Sequence, residues 1–203
     1  MKLLVIVPTH DRRAFLNDAL DSLADQTLQP NKVVIIGNVG PEWERVRMPH
    51  ADFVCSVDPL GSRLNFVLEH SDSDAFLILC DDDRLKPAYL EKTSEIMRQT
   101  GADVVYTDLQ WFGDNTRVAR AWKPWVTSLT RRSAWAKTSG FWNDPYFDLD
   151  FWESCKDAGC KFEVLHEPLF LYRSHQGQSG RTITAKDHEE ALARILARHR
   201  GMK

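Results

Sequence analysis

The chain has 203 residues, 43% of them hydrophobic, and a formal net charge of −3 at pH 7. That supports one substantial core in a single domain and lacks the basic excess many nucleic-acid binders carry. No stretch approaches the ~20 apolar residues of a membrane-crossing helix, and the cysteines Cys55, Cys80, Cys155 and Cys160 show no CxxC spacing, so they read as reduced thiols of a cytoplasmic protein.

The run Leu3–Val7 is continuously apolar and ends at Pro8, which marks a first strand rather than a secretory leader. Arg13–Gln26 places Ala14, Phe15, Ala19, Leu20 and Leu23 on one helical face. Lys32–Ile36 is a second strand closed by Gly37-Asn38, Phe53–Val57 a third, and Ser62–His70 a second helix. Ala75–Cys80 is a fourth strand, Pro87–Thr100 a helix with proline at its start, and Ala102–Thr107 a fifth strand. This alternation predicts an α/β fold whose mostly parallel sheet is flanked by helices on right-handed crossovers. The second half is less regular. Trp111–Trp125 reads as a strand pair or loop, Ser128–Thr138 as a short helix, and Phe147–Ala158 as a helix ended by Gly159. Lys161–Leu165 reads as a strand, His166–Gly180 as a loop-rich stretch, and Thr184–Arg200 as a basic, amphipathic terminal helix.

Asp81, Asp82 and Asp83 follow the fourth strand directly. Clustered carboxylates repel and raise one another's pKa unless a positive charge neutralises them. A hard divalent cation, Mg²⁺ or Mn²⁺, suits an all-oxygen cluster, and ligands of open α/β sheets bind beyond the carboxyl ends of the strands. The alternative is a solvated acidic turn before the helix at Pro87.

Several segments, in this order, resemble glycosyltransferase family 2, the nucleotide-sugar-dependent enzymes of the GT-A fold. They are Val5-Ile-Val-Pro-Thr9 with Ala19-Leu20 to Gln26-Thr27, then Gly61-Ser-Arg-Leu-Asn65 and Leu79-Cys-Asp-Asp-Asp-Arg-Leu-Lys-Pro87. Phe147-Asp148-x-Asp150-Phe-Trp152 with Ala158-Gly159, and Leu169-Phe-Leu-Tyr-Arg173-Ser-His175, complete the set. The resemblance covers about residues 2 to 180. It departs from the family pattern at Phe147, where a Glu usually stands, and at Asn38, where an Asp often contacts the nucleobase. Arg63 and Asn65 are split by Leu64, whereas the family pair is adjacent. With Pro87 as anchor, the first Asp of the family's Asp-x-Asp falls on Cys80 and the second on Asp82; shifted by one, Asp81 and Asp83 fit.

The resemblance implies one Rossmann-like GT-A domain over residues 1–203, with 1–108 binding the nucleotide-sugar and 109–203 forming the acceptor half and a closing loop. It implies an inverting, metal-dependent transferase using a UDP-sugar and Mn²⁺ or Mg²⁺. Asp82, Asp83 and His175 would hold the metal. Pro8, Thr9, Asp11, Arg13, Asn38, Arg63, Asn65, Asp81, Asp82 and Arg173 would contact the nucleotide, and Asp148 would be the catalytic base. Read without the family, Asp11 serves equally as a helix cap, Arg63 as a surface ion-pair partner and Asp148 as a helix-dipole partner.

Two rival functions stay open. A nucleotidyltransferase also uses metal-bound aspartates, but it would show a Gly-rich loop after the first strand, and Pro8-Thr9-His10-Asp11-Arg12-Arg13 has no glycine. A carbohydrate- or nucleic-acid-binding module of the same fold is compatible with Phe147. The acceptor is not identified. Arg117, Arg120, Lys123, Arg131, Arg132 and Lys137 suggest an anionic one, and surface solubility explains them as well. Trp122, Trp125 and Trp142 divide between acceptor platform and core, whereas Trp152 and Trp135 read as core.

Overall fold

Strand β1 (Leu3–Pro8) is apolar throughout, and all six of its residues are buried. A strand buries both faces only inside a sheet covered on both sides. In the computed structural model, which describes residues 1–9, 13–37, 51–143, 145–177 and 184–200, β1 holds that place. It pairs in parallel with β2 (Lys32–Gly37) and with β4 (Ala75–Ile78), and β3 (Ala51–Cys55) adds in parallel beyond β2.

Alternate side chains of β1 feed two separate cores, as the two-residue period of a strand requires. Leu3, Val5 and Val7 pack with Leu16, Leu20 and Leu23 of α1 (Arg13–Ala24) and with Leu90 and Met97 of α3 (Tyr89–Thr100). Leu4 and Ile6 pack with Leu64, Val67 and Leu68 of α2 (Leu60–Glu69) and with Phe151, Trp152 and Cys155 of α5 (Phe147–Asp157). The result is an α/β/α sandwich. Trimming a fully buried residue such as Ile6 to Ala would remove about 2–5 kcal/mol.

Beyond β4 the sheet becomes mixed. Its order is β3-β2-β1-β4-β8-β6-β9-β5, with β5 (Arg84–Leu85), β6 (Val104–Gly113), β8 (Leu129–Arg131) and β9 (Phe162–Ser174); β7 (Val118–Ala119) pairs with β6. β8 runs antiparallel to both β4 and β6, and β9 parallel to β6. Helices α4 (Arg132–Ala136) and α6 (Ala185–Arg200) complete the described chain.

Two sequence expectations need correction. Ser128–Thr138 is not one helix: Leu129–Arg131 is a strand wedged between β4 and β6, and only Arg132–Ala136 is helical. Ladder pairing on both sides overrides the local propensity there. His166–Gly180 is not loop-rich throughout, because β9 continues to Ser174 and carries Arg173 on a strand. Register shifts against β6 at Thr107/Asp108 and Asp108/Leu109 skip His166, Glu167 and Leu169 while Pro168 stays opposite Asp108, so the His166-Glu167-Pro168 stretch, which on sequence looks like a break, is carried within the strand. Asp11, Asn38 and residues 178–180 of the expected closing loop lie outside the described residues, as does the side chain of Arg13.

Candidate active site at the carboxyl edge of the sheet

The parallel strands β1 to β4 end at one edge, and the chain leaving β4 delivers the three aspartates there. Asp81, Asp82 and Asp83 are 1%, 9% and 2% exposed. They diverge at once. Asp81 faces β1: its backbone N–H donates to the Pro8 carbonyl at 3.3 Å, and its Oδ2 accepts from Thr9 Oγ1 at 2.8 Å. Asp82 Oδ2 lies 3.0 Å from His175 Nε2. Asp83 Oδ1 accepts the backbone N–H of Arg173 at 2.9 Å.

The two-residue strand β5 makes this convergence. Arg84 and Leu85 pair antiparallel with Leu171 and Phe170 of β9, so β9 runs on past the aspartates toward His175. Arg173 locks the arrangement. Its Nε donates to the Asp82 carbonyl at 2.7 Å and its Nη2 to Asp18 of α1 at 2.6 Å. Its guanidinium carbon sits 4.5 Å from the Phe15 ring centroid and 4.4 Å from that of Phe112. Asp18 also pairs with Arg84. Burial acts to raise the Asp18 pKa, but hydrogen bonds from Arg84 and Arg173 outweigh it and hold the carboxyl below its ordinary value. The His175 ring stacks at a tilt on Phe15, centroids 5.0 Å apart.

The crowding of charge shows at Asp83, Cys80 and Tyr172. Burial, then the charge of Asp82, pushes Asp83 well above the usual carboxylate range despite Arg173. Burial, then Asp83, Asp82, Asp81 and Asp148, raises the Cys80 thiol well above its ordinary value. Burial, then Asp83 and Cys80, pushes Tyr172 up to about 12. A divalent cation would reverse these shifts. Donor atoms of Cys80, Asp82 and Asp83 lie within 4.8 Å of one another, so this donor set fits such an ion; His175 stands outside the trio, bonded to Asp82.

Asp148 and Asp150 occupy the first turn of α5 and face different ways. Asp148 is half-buried. Burial raises its pKa, opposed by backbone hydrogen bonds from Leu149 and its own N–H and by the charge of Lys123. Its charge is felt at Cys80 and Tyr172, which puts its carboxylate on the side of the aspartate segment. Asp150 is fully buried and turned to α6: its Oδ1 accepts from Arg198 Nε at 2.8 Å and Nη2 at 2.7 Å, with His199 Nε2 at 3.3 Å.

Helix α2 begins at the same edge, because it leads from β3 back to the start of β4. In its first turn Arg63 is only 9% exposed, and its buried Nε and Nη1 have no hydrogen-bond partner among the described residues. A buried cation with open donors is costly unless an anion meets it. Asn65, expected from the sequence at the nucleotide, is bonded to the chain itself: its Oδ1 accepts from Trp135 Nε1 at 3.1 Å and the Phe141 N–H at 2.8 Å, and its Nδ2 donates to the Phe141 carbonyl at 2.9 Å. Gly140 beside it has φ +75°, and a Cβ there would lie 2.5 Å from Asn65 Oδ1.

The basic residues of the second half do not form one patch. Arg131 lies opposite Ala75, at the start of β4 and the far end of the sheet from the aspartates, with Arg132 next to it. Lys137 lies 3.7 Å from Asp103, just before β6. Lys123 is the one whose charge reaches Asp148. Of the tryptophans, Trp152 is buried, Trp135 is tied to Asn65, and Trp125 Nε1 donates to the Thr107 carbonyl at 3.0 Å. Trp122 and Trp142 are 78% and 46% exposed. Sequence reasoning missed Asp18, Arg84 and Phe112 as supports of the aspartate segment, and placed Phe15 only on a core face. Nothing local marks them; they act through β9. Cys80 alone carried a signal, its match to the family's first Asp.

No protein-family model matches the chain. In sequence it is similar to the uncharacterized glycosyltransferase YwdF of Bacillus subtilis (strain 168), 24% identical over 116 residues, covering 54% of this chain and 42% of that protein. In structure it is similar to S. aureus TarS 1-349 in complex with UDP-GlcNAc, with a TM-score of 0.80 at 16% identity over 97% of this chain and 66% of that one. It also resembles the mannosyltransferase PcManGT from Pyrobaculum calidifontis in complex with GDP-Man and Mn²⁺, with a TM-score of 0.72 at 13% identity over 97% of this chain and 63% of that one. The chain thus spans less than half the length of the curated relative. Its fold is the GT-A-like fold of glycosyltransferases, as the motifs suggested. Among the described residues no helix is long and apolar enough to cross a membrane.

Proposed function

We propose that the chain is an inverting, metal-dependent glycosyltransferase that moves a sugar from a UDP-sugar to an acceptor hydroxyl. The observation that carries this reading is the buried aspartate segment at the end of β4, joined by β9 to Arg173 and His175, with Asp148 close enough for its charge to be felt. The neighbours with UDP-GlcNAc and with GDP-Man and Mn²⁺ support the donor class and the metal.

Asp82 and Asp83 would hold Mn²⁺ or Mg²⁺, with His175 beside them; the ion supplies charge neutralisation for the departing diphosphate. Thr9 and Asp81, joined at the end of β1, face the nucleoside together with Pro8; Asp11, Arg13 and Asn38 are assigned to the nucleotide from the sequence alone. Arg63 offers its Nε and Nη1 donors to a phosphate, which explains two buried donors without a partner among the described residues. Arg173 holds the aspartate segment to α1 and adds positive charge at the leaving group. Asp148 takes the acceptor proton as the acceptor oxygen bonds to the anomeric carbon and the bond to the diphosphate oxygen breaks. A base on the face opposite the leaving group gives inversion in one displacement. A raised Asp148 pKa suits that role, since it makes the carboxylate a stronger base.

The test is UDP release from UDP-GlcNAc and other UDP-sugars, with Mn²⁺ and with chelator, in wild type and Asp148→Asn. Metal-dependent release that wild type shows and Asp148→Asn loses in the presence of acceptor supports the reading. Absence of release and of any UDP-induced stabilisation overturns it and leaves a binding module of the same fold.

A further inference from the structure

The metal-side trio differs from the Asp82, Asp83 and His175 set expected from the sequence, because Cys80 contributes a sulfur. We propose that Cys80 is itself a metal ligand and makes this centre select thiophilic divalent cations, Zn²⁺ and Co²⁺ first and Mn²⁺ next, over Mg²⁺. The inference deepens the glycosyltransferase reading and rests on it only for a cation being held at Asp82 and Asp83.

Three observations carry it. The first is geometric: Cys80 Sγ and one carboxylate oxygen each of Asp82 and Asp83 lie mutually within 4.8 Å, close enough for one ion to touch all three after small side-chain rotations. The second is positional: aligned on Pro87, Cys80 stands where the Asp-x-Asp pattern has its first carboxylate, so one anionic donor replaces another at the same point of the chain. The third is the contrast with the other cysteines. Cys155 is buried in the core and hydrogen-bonds Cys160, and Cys55 is exposed on edge strand β3, whereas Cys80 faces carboxylates.

The Cys80 sulfur sits beside the Asp82 and Asp83 carboxylates. As a ligand the arrangement makes sense. The S–H proton leaves to solvent as the sulfur–metal bond forms, and the resulting thiolate has the same charge as the carboxylate it replaces but is softer. Two carboxylates and one thiolate favour borderline cations, while Mg²⁺ demands oxygen ligands in near-octahedral geometry.

The experiment is a Co²⁺ titration of the full chain with UDP present, followed by absorption spectroscopy and calorimetry in wild type, Cys80→Ser, Cys80→Asp and Asp82→Asn. A near-ultraviolet sulfur-to-cobalt charge-transfer band should appear in wild type and vanish in Cys80→Ser. Co²⁺ and Zn²⁺ affinity should fall by about tenfold or more in Cys80→Ser, the scale seen when support of a metal site is lost. Cys80→Asp should narrow the preference for Co²⁺ over Mg²⁺. Taking the difference between wild type and Cys80→Ser removes any signal from Cys55, Cys155 or Cys160. Co²⁺ that binds in an Asp82-dependent way without a band, or with a band that survives Cys80→Ser, overturns the role of Cys80 and leaves the glycosyltransferase reading standing. No Co²⁺ binding in any variant overturns this inference and the metal requirement together.

Discussion

The two edges of the sheet handle charge in opposite ways. At the far edge charges are matched with nearby partners. Arg131 donates to the carbonyls of Ala102 at 2.9 Å and Met97 at 3.0 Å, Arg132 donates to the Ser73 carbonyl at 3.0 Å, and Lys137 sits by Asp103. At the carboxyl edge, burial and acidic neighbours raise the pKa values of Asp83 and Cys80, and two buried donors of Arg63 meet no acceptor among the described residues. A matched charge is explained by the fold alone. Buried donors that no acceptor meets fit a ligand, and the proposed one is a cation with phosphates. The sequence grouped Arg131, Arg132 and Lys137 with the acceptor side because they lie near it in the chain; the topology sends them to the other end.

The strongest way to break this contrast is to neutralise one charge at the carboxyl edge. Asp82→Asn should abolish metal-dependent UDP release while the protein stays folded and melts no lower than wild type, because carboxylate repulsion falls. A variant that turns over normally would show the aspartates to be a solvated turn. Next in size, Asp148→Asn should slow transfer by ~10²–10⁴-fold with UDP and metal affinity nearly unchanged, as expected for loss of a general base. It should also melt higher at neutral pH. Folding raises the Asp148 pKa, so the ionised group disfavours the fold increasingly between its unfolded and folded pKa values, and that penalty disappears as pH falls below both.

How much of this was legible divides along the same line. β1, β2 and β4 are nearly all buried, so their apolar runs stand out against any polar turn. Most positions of β9 are only partly buried, and His166-Glu167-Pro168 interrupts its apolar pattern, so the run Leu169–Tyr172 does not read as the continuation of a strand ending at Leu165. The site inherits that limit. The aspartates were conspicuous, but their partners Thr9, Arg173 and His175 lie 72, 90 and 93 residues away, and only the pairing of β5 with β9 brings the last two close. Burial of Arg63 was equally invisible, since a residue between Ser62 and Leu64 on an amphipathic helix reads as either face.

Smaller effects sharpen the contrast from the matched side. Arg131→Met should lower stability by about 1–3 kcal/mol through two carbonyls left without donors, with turnover per folded molecule unchanged. Urea melts beside specific activity decide this, and a selective loss of turnover would mean that edge takes part in function. The smallest expected effect is in pH. Transfer should fall as pH drops through the raised Asp148 pKa, since the base must be ionised. Lys123→Met, which removes a charge that lowers this pKa, should move the acid limb of the rate profile upward without changing its plateau.

The central claim is that the unmatched charges of the carboxyl edge await a metal-bound nucleotide diphosphate. Its most direct test is UDP affinity measured by calorimetry with Mn²⁺ and with chelator, in wild type, in Arg63→Met and in Asp82→Asn/Asp83→Asn. Wild type should bind UDP more tightly with Mn²⁺, Arg63→Met should bind more weakly in both conditions, and the double variant should lose the metal effect altogether. UDP affinity that is the same in all three proteins and indifferent to Mn²⁺ would contradict it.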